Sequence, residues 1–142
     1  MSDTTYSGPI PKPTPETANF WQAAKQGVLL IQHCRDCGRN YFYPRPLCPN
    51  CLSRAVEWIE ASGRGVLHTF VINHRPARGF PAKGPYVIGI VELAEGPRMM
   101  SNIVGVDPDP KKLRCDMPVE VVFEQITEEI TLPKFRLVEQ GR

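Results

Sequence analysis

Four of the five cysteines lie in two Cys-x-x-Cys pairs, and this spacing is typical of a structural metal site. The first pair is Cys34 and Cys37, and the second is Cys48 and Cys51. Each pair forms a tight turn in which two thiolates converge, so two such turns supply four sulfur ligands to one tetrahedral zinc ion. Gly38, directly after Cys37, allows the positive φ that such a turn requires. The sequence therefore predicts one structural zinc ion.

Two other interpretations of the cysteine pairs are less favoured. A disulfide framework belongs to secreted proteins, and the N-terminal residues do not read as a secretory signal. A redox motif needs only one Cys-x-x-Cys pair. The fifth cysteine, Cys115, stands next to Arg114, which would lower the pKa of its thiol, but a loop cysteine without function is the simpler interpretation.

A basic interval follows the cysteines, because no acidic residue occurs between Glu60 and Glu92. Its basic side chains include Arg64, Arg75, Arg78 and Lys83. Arginine forks, a mobile lysine and a Gly- and Pro-rich loop over residues 73–85 suit a phosphate group. The alternative is a solvated basic loop. The sequence predicts an anion site on these four residues as one hypothesis.

Two histidines in the same interval, His68 and His74, are six residues apart in a predicted strand. An even separation places both side chains on one face of a strand. We expect them to be ordinary polar residues on the wet face of a sheet, with phosphate binding or proton transfer as the alternative.

A short helix precedes the first cysteine pair. Thr14 is a candidate N-cap, Pro15 suits the first helical position, and Gly27 is suited to ending the element, which predicts a helix over residues 15–26. Its aromatic residues, Phe20 and Trp21, pack either on this chain or on a partner, and the sequence leaves both alternatives open.

The remaining elements are predicted to be strands. Two strands around the first cysteine pair form the hairpin of a zinc ribbon, and five later strands form a small closed barrel. The five are residues 66–73, 86–93, 98–104, 119–123 and 130–138. Residues 86–93 are apolar at nearly every position, so we expect that strand to be buried on both faces.

The predicted fold class is mainly β, with an N-terminal helix, a rubredoxin-like zinc ribbon and a five-stranded OB-fold barrel. The predicted domains are an arm and helix over residues 1–32, the ribbon over 33–57 and the barrel over 58–142. A net charge of +2 does not by itself indicate a nucleic-acid or membrane partner. Because no apolar stretch approaches the length of a membrane span, we expect a cytoplasmic protein.

The order of these motifs resembles one protein family. It is the zinc-ribbon plus OB-fold family known as domain of unknown function thirty-five. The resemblance covers residues 20–135 and rests on the cysteine pairs and on short stretches around them. These stretches are Phe20-Trp21, Tyr43-Pro44-Arg45, Ser62-Gly63-Arg64-Gly65, Pro85-Tyr86, Glu95-Gly96-Pro97-Arg98 and Ser101-Asn102-Ile103.

The resemblance implies a noncatalytic accessory subunit in lipid or steroid metabolism. Members of the family assemble with thiolase-like enzymes, which include thiolases, synthases and aldolases, and are associated with acyl-CoA. A coenzyme A thioester is therefore the implied ligand, and its phosphates would contact the basic residues Arg64, Arg75, Arg78 and Lys83. The implied partner is a thiolase-like subunit.

A second function from a different class is single-stranded nucleic-acid binding, since zinc ribbons and OB barrels both occur in such proteins. That function needs aromatic stacking platforms along a continuous basic groove. The aromatic residues Tyr41, Phe42 and Tyr43 lie in the ribbon, and the predicted barrel strands carry few. We therefore rank nucleic-acid binding second.

Overall fold

The structure is a computed structural model that describes residues 10–75 and 85–138. The described residues form one α-helix and eight β-strands. In chain order these are α1 Ala18–Lys25, β1 Leu30–Cys34, β2 Asn40–Tyr41, β3 Val56–Glu60, β4 Arg64–Asn73, β5 Tyr86–Leu93, β6 Arg98–Val104, β7 Pro118–Gln125 and β8 Thr131–Leu137. Within the two described ranges, no helix combines the length and apolar character that crossing a bilayer requires.

The helix begins at Ala18, three residues later than predicted. The Thr17 N–H donates to the Thr14 carbonyl (3.0 Å), and the Thr14 N–H donates to the Thr17 hydroxyl (2.9 Å). Threonine hydroxyls compete for backbone groups in this way, and here they close a separate turn before the helix. The prediction of Thr14 as N-cap is therefore wrong, and Thr17 precedes the first helical residue.

The C-terminal end of the helix is formed by Gly27, as predicted. Gly27 has a φ of 80° and donates its N–H to Ala24 (3.0 Å). The next residue, Val28, donates to Ala23 (2.9 Å). These two bonds form a Schellman motif, which satisfies carbonyl groups that have no partner further along the helix.

The aromatic residues of the helix pack inside this chain. Phe20 is 2% exposed and Trp21 is 7% exposed, and both belong to the same buried cluster as Phe135 and Ile103 of the barrel. The helix lies against β1 and against β7 and β8. The sequence leaves open whether the helix packs on this chain or on a partner. In the structure it packs on this chain.

The ribbon is a three-stranded antiparallel sheet in the order β2-β1-β3. The hairpin of β1 and β2 is present as predicted. Strand β3 pairs with β1 along its whole length, from Cys34 opposite Val56 to Leu30 opposite Glu60. The hydrogen-bonded ribbon sheet therefore reaches Glu60, three residues beyond the predicted end of the ribbon domain.

The five remaining strands close into a barrel in the order β4-β5-β6-β8-β7, with β7 pairing back onto β4. Strands β6 and β8 are parallel, and the other pairs are antiparallel. The five-stranded OB-fold barrel is therefore confirmed. Its first strand needs glycine at position 65, because a Cβ there would lie 2.3 Å from the carbonyl oxygen of Glu92.

Strand β5 is not buried on both faces, so that expectation is wrong. Val87, Val91 and Leu93 point into the barrel and are buried, whereas Ile88 and Ile90 point outward and are partly exposed. A closed barrel has only one interior, so the side chains on the outside of β5 are only partly buried.

The expectation that His68 and His74 share a face of one strand is also wrong. Leu67 pairs with Val91 and Thr69 pairs with Ile90, so the register of β4 shifts at His68. Such a shift places one extra residue in the strand and breaks the alternation of side chains. His74 lies beyond the end of β4 and is exposed.

Candidate metal centre

Two chain turns with the same backbone hydrogen bond carry the four cysteines. In the first turn, the Gly38 N–H donates to the carbonyl of Cys34 at 2.9 Å. In the second turn, the Leu52 N–H donates to the carbonyl of Cys48, also at 2.9 Å. Both Gly38 and Leu52 have positive φ angles, 78° and 65°. The turns therefore present their sulfur atoms in the same way.

The four sulfur atoms form a compact cluster that fits one zinc ion. All four lie within 4.8 Å of one another. The Sγ atoms of Cys34 and Cys51 are 3.6 Å apart, and those of Cys37 and Cys48 are 3.7 Å apart. A tetrahedral zinc site with Zn–S bonds of ~2.3 Å has sulfur–sulfur edges of about 3.8 Å. A disulfide bond is much shorter, ~2.05 Å, and the cysteines are free thiols.

The surroundings of the sulfur atoms make one thiol easy to ionise and another difficult. The pKa of Cys37 is lowered to about 6, first by the backbone N–H of Arg39 and then by the side chain of Asn50. For Cys51, the backbone N–H of Ser53 lowers the pKa, but desolvation and the other three sulfurs together raise it to about 12. Four neighbouring thiols therefore resist complete ionisation unless a cation compensates their charge, as a metal ion does.

Buried and half-buried amides hold the ribbon together and tie it to the barrel. The Asn40 side chain donates to the Glu95 carbonyl in the β5–β6 turn (2.9 Å) and hydrogen-bonds the His33 ring (2.7 Å). Gln32, 5% exposed, accepts a hydrogen bond from the Arg45 N–H (2.6 Å). Sequence reasoning missed Gln32 and Asn40, because nothing in the local pattern distinguishes them from surface amides.

The four basic residues of the predicted anion site do not form one group in the described structure. Arg64 is the first residue of β4, and Arg75 lies two residues beyond its end. A ten-residue strand is about 33 Å long, so a single phosphate cannot contact both side chains. Arg64 and Arg75 are exposed, and Arg78 and Lys83 lie outside the described residues.

Of the three aromatic residues of the ribbon, Tyr41 and Phe42 are used for packing, and Tyr43 is 41% exposed. Tyr41 is 7% exposed, and its hydroxyl donates to the carbonyl of Arg45 (3.0 Å). The ring of Phe42 lies 5.5 Å from that of Phe20 and 5.2 Å from that of Tyr43. Because nucleic-acid bases need exposed ring faces for stacking, these contacts do not favour the nucleic-acid hypothesis.

The fold and the cysteine cluster define a protein composed of a zinc ribbon and an OB-fold barrel. Two family models match the chain accordingly. Residues 21–57 match the model described as "ChsH2, rubredoxin-like zinc ribbon domain", and residues 58–124 match the model described as "ChsH2, C-terminal OB-fold domain".

The chain belongs to the DUF35 family. It is 38% identical over 111 residues to a DUF35 domain-containing scaffold protein of Methanocaldococcus jannaschii, and the match covers 77% of each chain. The resemblance deduced from the sequence is thereby confirmed.

Two further similarities concern proteins named for acyl-CoA or aldolase chemistry. The chain is 39% identical to a probable enoyl-CoA hydratase alpha subunit of Thermomonospora curvata over 90% of its own length, and it spans 39% of that relative. It is also similar to a chain in the solved structure named Ltp2-ChsH2(DUF35) aldolase, with a TM-score of 0.76 and 36% identity. That match covers 90% of this chain and 98% of the other.

Proposed function

We propose that this chain is a noncatalytic subunit that binds a thiolase-like enzyme acting on acyl-CoA. The observation that carries the proposal is the similarity to a chain of the Ltp2-ChsH2(DUF35) aldolase, because it extends over 98% of that chain at 36% identity. The name of the Methanocaldococcus jannaschii relative, a scaffold protein, supports a role in assembly. The hydratase relative is more than twice as long as this chain, so its activity is not carried over.

The proposed role of the zinc ion is structural. Cys34, Cys37, Cys48 and Cys51 would supply all four ligands, which leaves no position for a substrate or a reactive water. The ribbon has a small buried cluster of its own, formed by Cys34, Cys48 and Tyr41 with Val56 packed against it. A cluster of this size cannot order the cysteine turns, and the metal–sulfur bonds supply the missing stability.

Contact with the coenzyme A moiety is the finer part of the proposal. Arg75 is exposed at the end of β4, and its N–H is held by the side chain of Asn73 (3.0 Å). Arg78 and Lys83 follow in the same interval between β4 and β5. We assign the phosphate contacts to Arg75, Arg78 and Lys83, while Arg64 at the opposite end of β4 contacts a different group or none.

Replacing Arg75 and Arg78 together with glutamine tests this assignment in the intact complex. The affinity for an acyl-CoA is expected to fall by about ten-fold or more, because charged hydrogen bonds to phosphate are lost. Arg64→Gln is the matched control, and we expect its affinity to stay near that of the unmodified complex. Equal affinity in the double variant and the control would place the phosphate site on the partner enzyme.

Binding to the enzyme is tested by mixing the purified chain with a purified thiolase-like enzyme from the same source. We expect a stable complex of defined stoichiometry in size-exclusion chromatography with light scattering. Two separate species at micromolar concentrations of both proteins would contradict the proposed function.

A further inference from the structure

The outside of the barrel carries an apolar face on β4, β5 and β6. In one row across these strands, Val71 is opposite Ile88, and Ile88 is opposite Asn102. In the next row, Thr69 is opposite Ile90, and Ile90 is opposite Met100. Val71 is 59% exposed and Met100 is 66% exposed. The outer face of an antiparallel sheet in water is normally polar, so these rows are unusual.

The outside of β7 and β8 shows the ordinary pattern. On β7 and β8, Glu120 forms an ion pair with Arg136 (2.7 Å), and Glu124 forms an ion pair with Lys134. The two rows on β4, β5 and β6 contain no charged side chain. The outside of β7 and β8 is therefore the solvated side of the barrel. The neutral, apolar part of the exterior is confined to the two rows, because the next row on β5 and β6 carries the ion pair of Glu92 with Arg98 (3.9 Å).

A pocket of about 330 Å³ continues the apolar face beyond Met100. It lies where the helix, the ribbon and the barrel meet, and Met100 and Asn102 belong both to the rows and to the pocket wall. Aromatic side chains also line the pocket. They are Phe20, Trp21, Phe42 and Tyr43. The rows and the pocket together form one surface, which we call the apolar surface.

We infer that the apolar surface is the docking site for the thiolase-like enzyme, which inserts an apolar side chain into the pocket. This inference rests on the proposed function and assigns the place of contact. A neutral surface is complementary to an uncharged, apolar protein surface, and an anchor in a pocket beside flat apolar contacts is the usual centre of a protein interface. Exposed apolar area of this kind marks interaction sites.

The charge pattern distinguishes this occupant from others. The phosphates of coenzyme A or of a nucleic acid require cationic partners, and the two rows offer none. The one lysine at the pocket, Lys134, is already paired with Glu124. A second copy of this chain could also cover an uncharged, apolar surface, and the experiment below distinguishes a second copy from the enzyme.

The test introduces a carboxylate into the apolar surface and, as a matched control, into the solvated side. Val71→Glu and Met100→Glu change the apolar surface at exposed positions, so folding is expected to be preserved. Gln125→Glu introduces the same carboxylate at an exposed position of β7, opposite Thr131. The affinity of each purified variant for the purified enzyme is measured by isothermal titration calorimetry, with thermal unfolding as a check on folding.

We expect Val71→Glu and Met100→Glu to weaken binding at least about thirty-fold, because a buried unpaired charge opposes docking. The control Gln125→Glu is expected to stay within about three-fold of the unmodified chain. If the unmodified chain binds the enzyme and all three variants bind it with the same affinity, the inference is overturned and the proposed function is retained. No binding by the unmodified chain would overturn both. An isolated chain that dimerises, becomes monomeric in Val71→Glu and binds the enzyme unchanged would assign the surface to a second copy and overturn the inference.

Discussion

Leu52 adopts the same left-handed backbone conformation in the second cysteine turn that Gly38 adopts in the first. The φ angles are 65° and 78°, and each residue donates its N–H to the first cysteine of its own turn at 2.9 Å. A leucine is disfavoured in this conformation because of its Cβ, and Leu52 is 71% exposed, so its side chain gains little burial in return. The second turn is therefore strained where the first is not.

Replacing Leu52 with glycine is expected to stabilise the zinc-loaded protein by about 1 kcal/mol, because the left-handed conformation costs glycine no Cβ contact. Denaturant unfolding at constant zinc concentration measures the change. Leu52→Ala is the control, since alanine removes the side chain but keeps the Cβ. If alanine stabilises as much as glycine, the apolar side chain and not the backbone conformation is the cause.

Elemental analysis is expected to find one zinc ion per chain. Replacing the buried Cys48 with serine removes one of four ligands, so zinc should be lost and the ribbon should unfold while the barrel keeps much of its structure. The matched control is Cys115→Ser, which changes an exposed cysteine outside the cluster and should leave the zinc content unchanged. A folded ribbon without metal, with all four cluster thiols reactive, would argue against a structural zinc site.

Phe20→Ala is expected to lower the free energy of unfolding of the isolated chain by about 3 to 5 kcal/mol, because it removes a fully buried aromatic ring from the barrel core. Gln22→Ala, an exposed position on the same helix, is the control and should have little effect. Unchanged stability in Phe20→Ala would mean that the helix does not pack on the barrel. The alternative that Phe20 and Trp21 pack on a partner would then be favoured.

The metal centre was predictable from the sequence because its geometry is local. Two cysteines separated by two residues form one turn, and a glycine after the turn allows the positive φ that it needs. The second turn carries Leu52 at the same position, and no sequence rule predicts leucine there. The five barrel strands were predictable because short runs rich in apolar and β-branched residues, bounded by turn residues, are also a local property.

The features that the sequence did not reveal depend on contacts between distant strands. The extra residue at His68 appears only when β4 is aligned with β5. The place of β3 in the ribbon sheet depends on its pairing with β1, which is distant in the sequence. The apolar sequence of β5 was interpreted as burial on two faces, but in this chain the barrel buries only one. The outer face of β5, with Ile88 and Ile90, is part of the apolar surface.

The measurement that tests the central claim most directly is steady-state turnover of an acyl-CoA substrate by three samples: this chain alone, the thiolase-like enzyme alone, and the two combined. We expect no turnover by this chain and a higher rate or greater stability of activity in the combined sample than with the enzyme alone. Turnover by this chain alone would contradict the noncatalytic assignment, and a combined sample that behaves like the enzyme alone would contradict its role as a subunit.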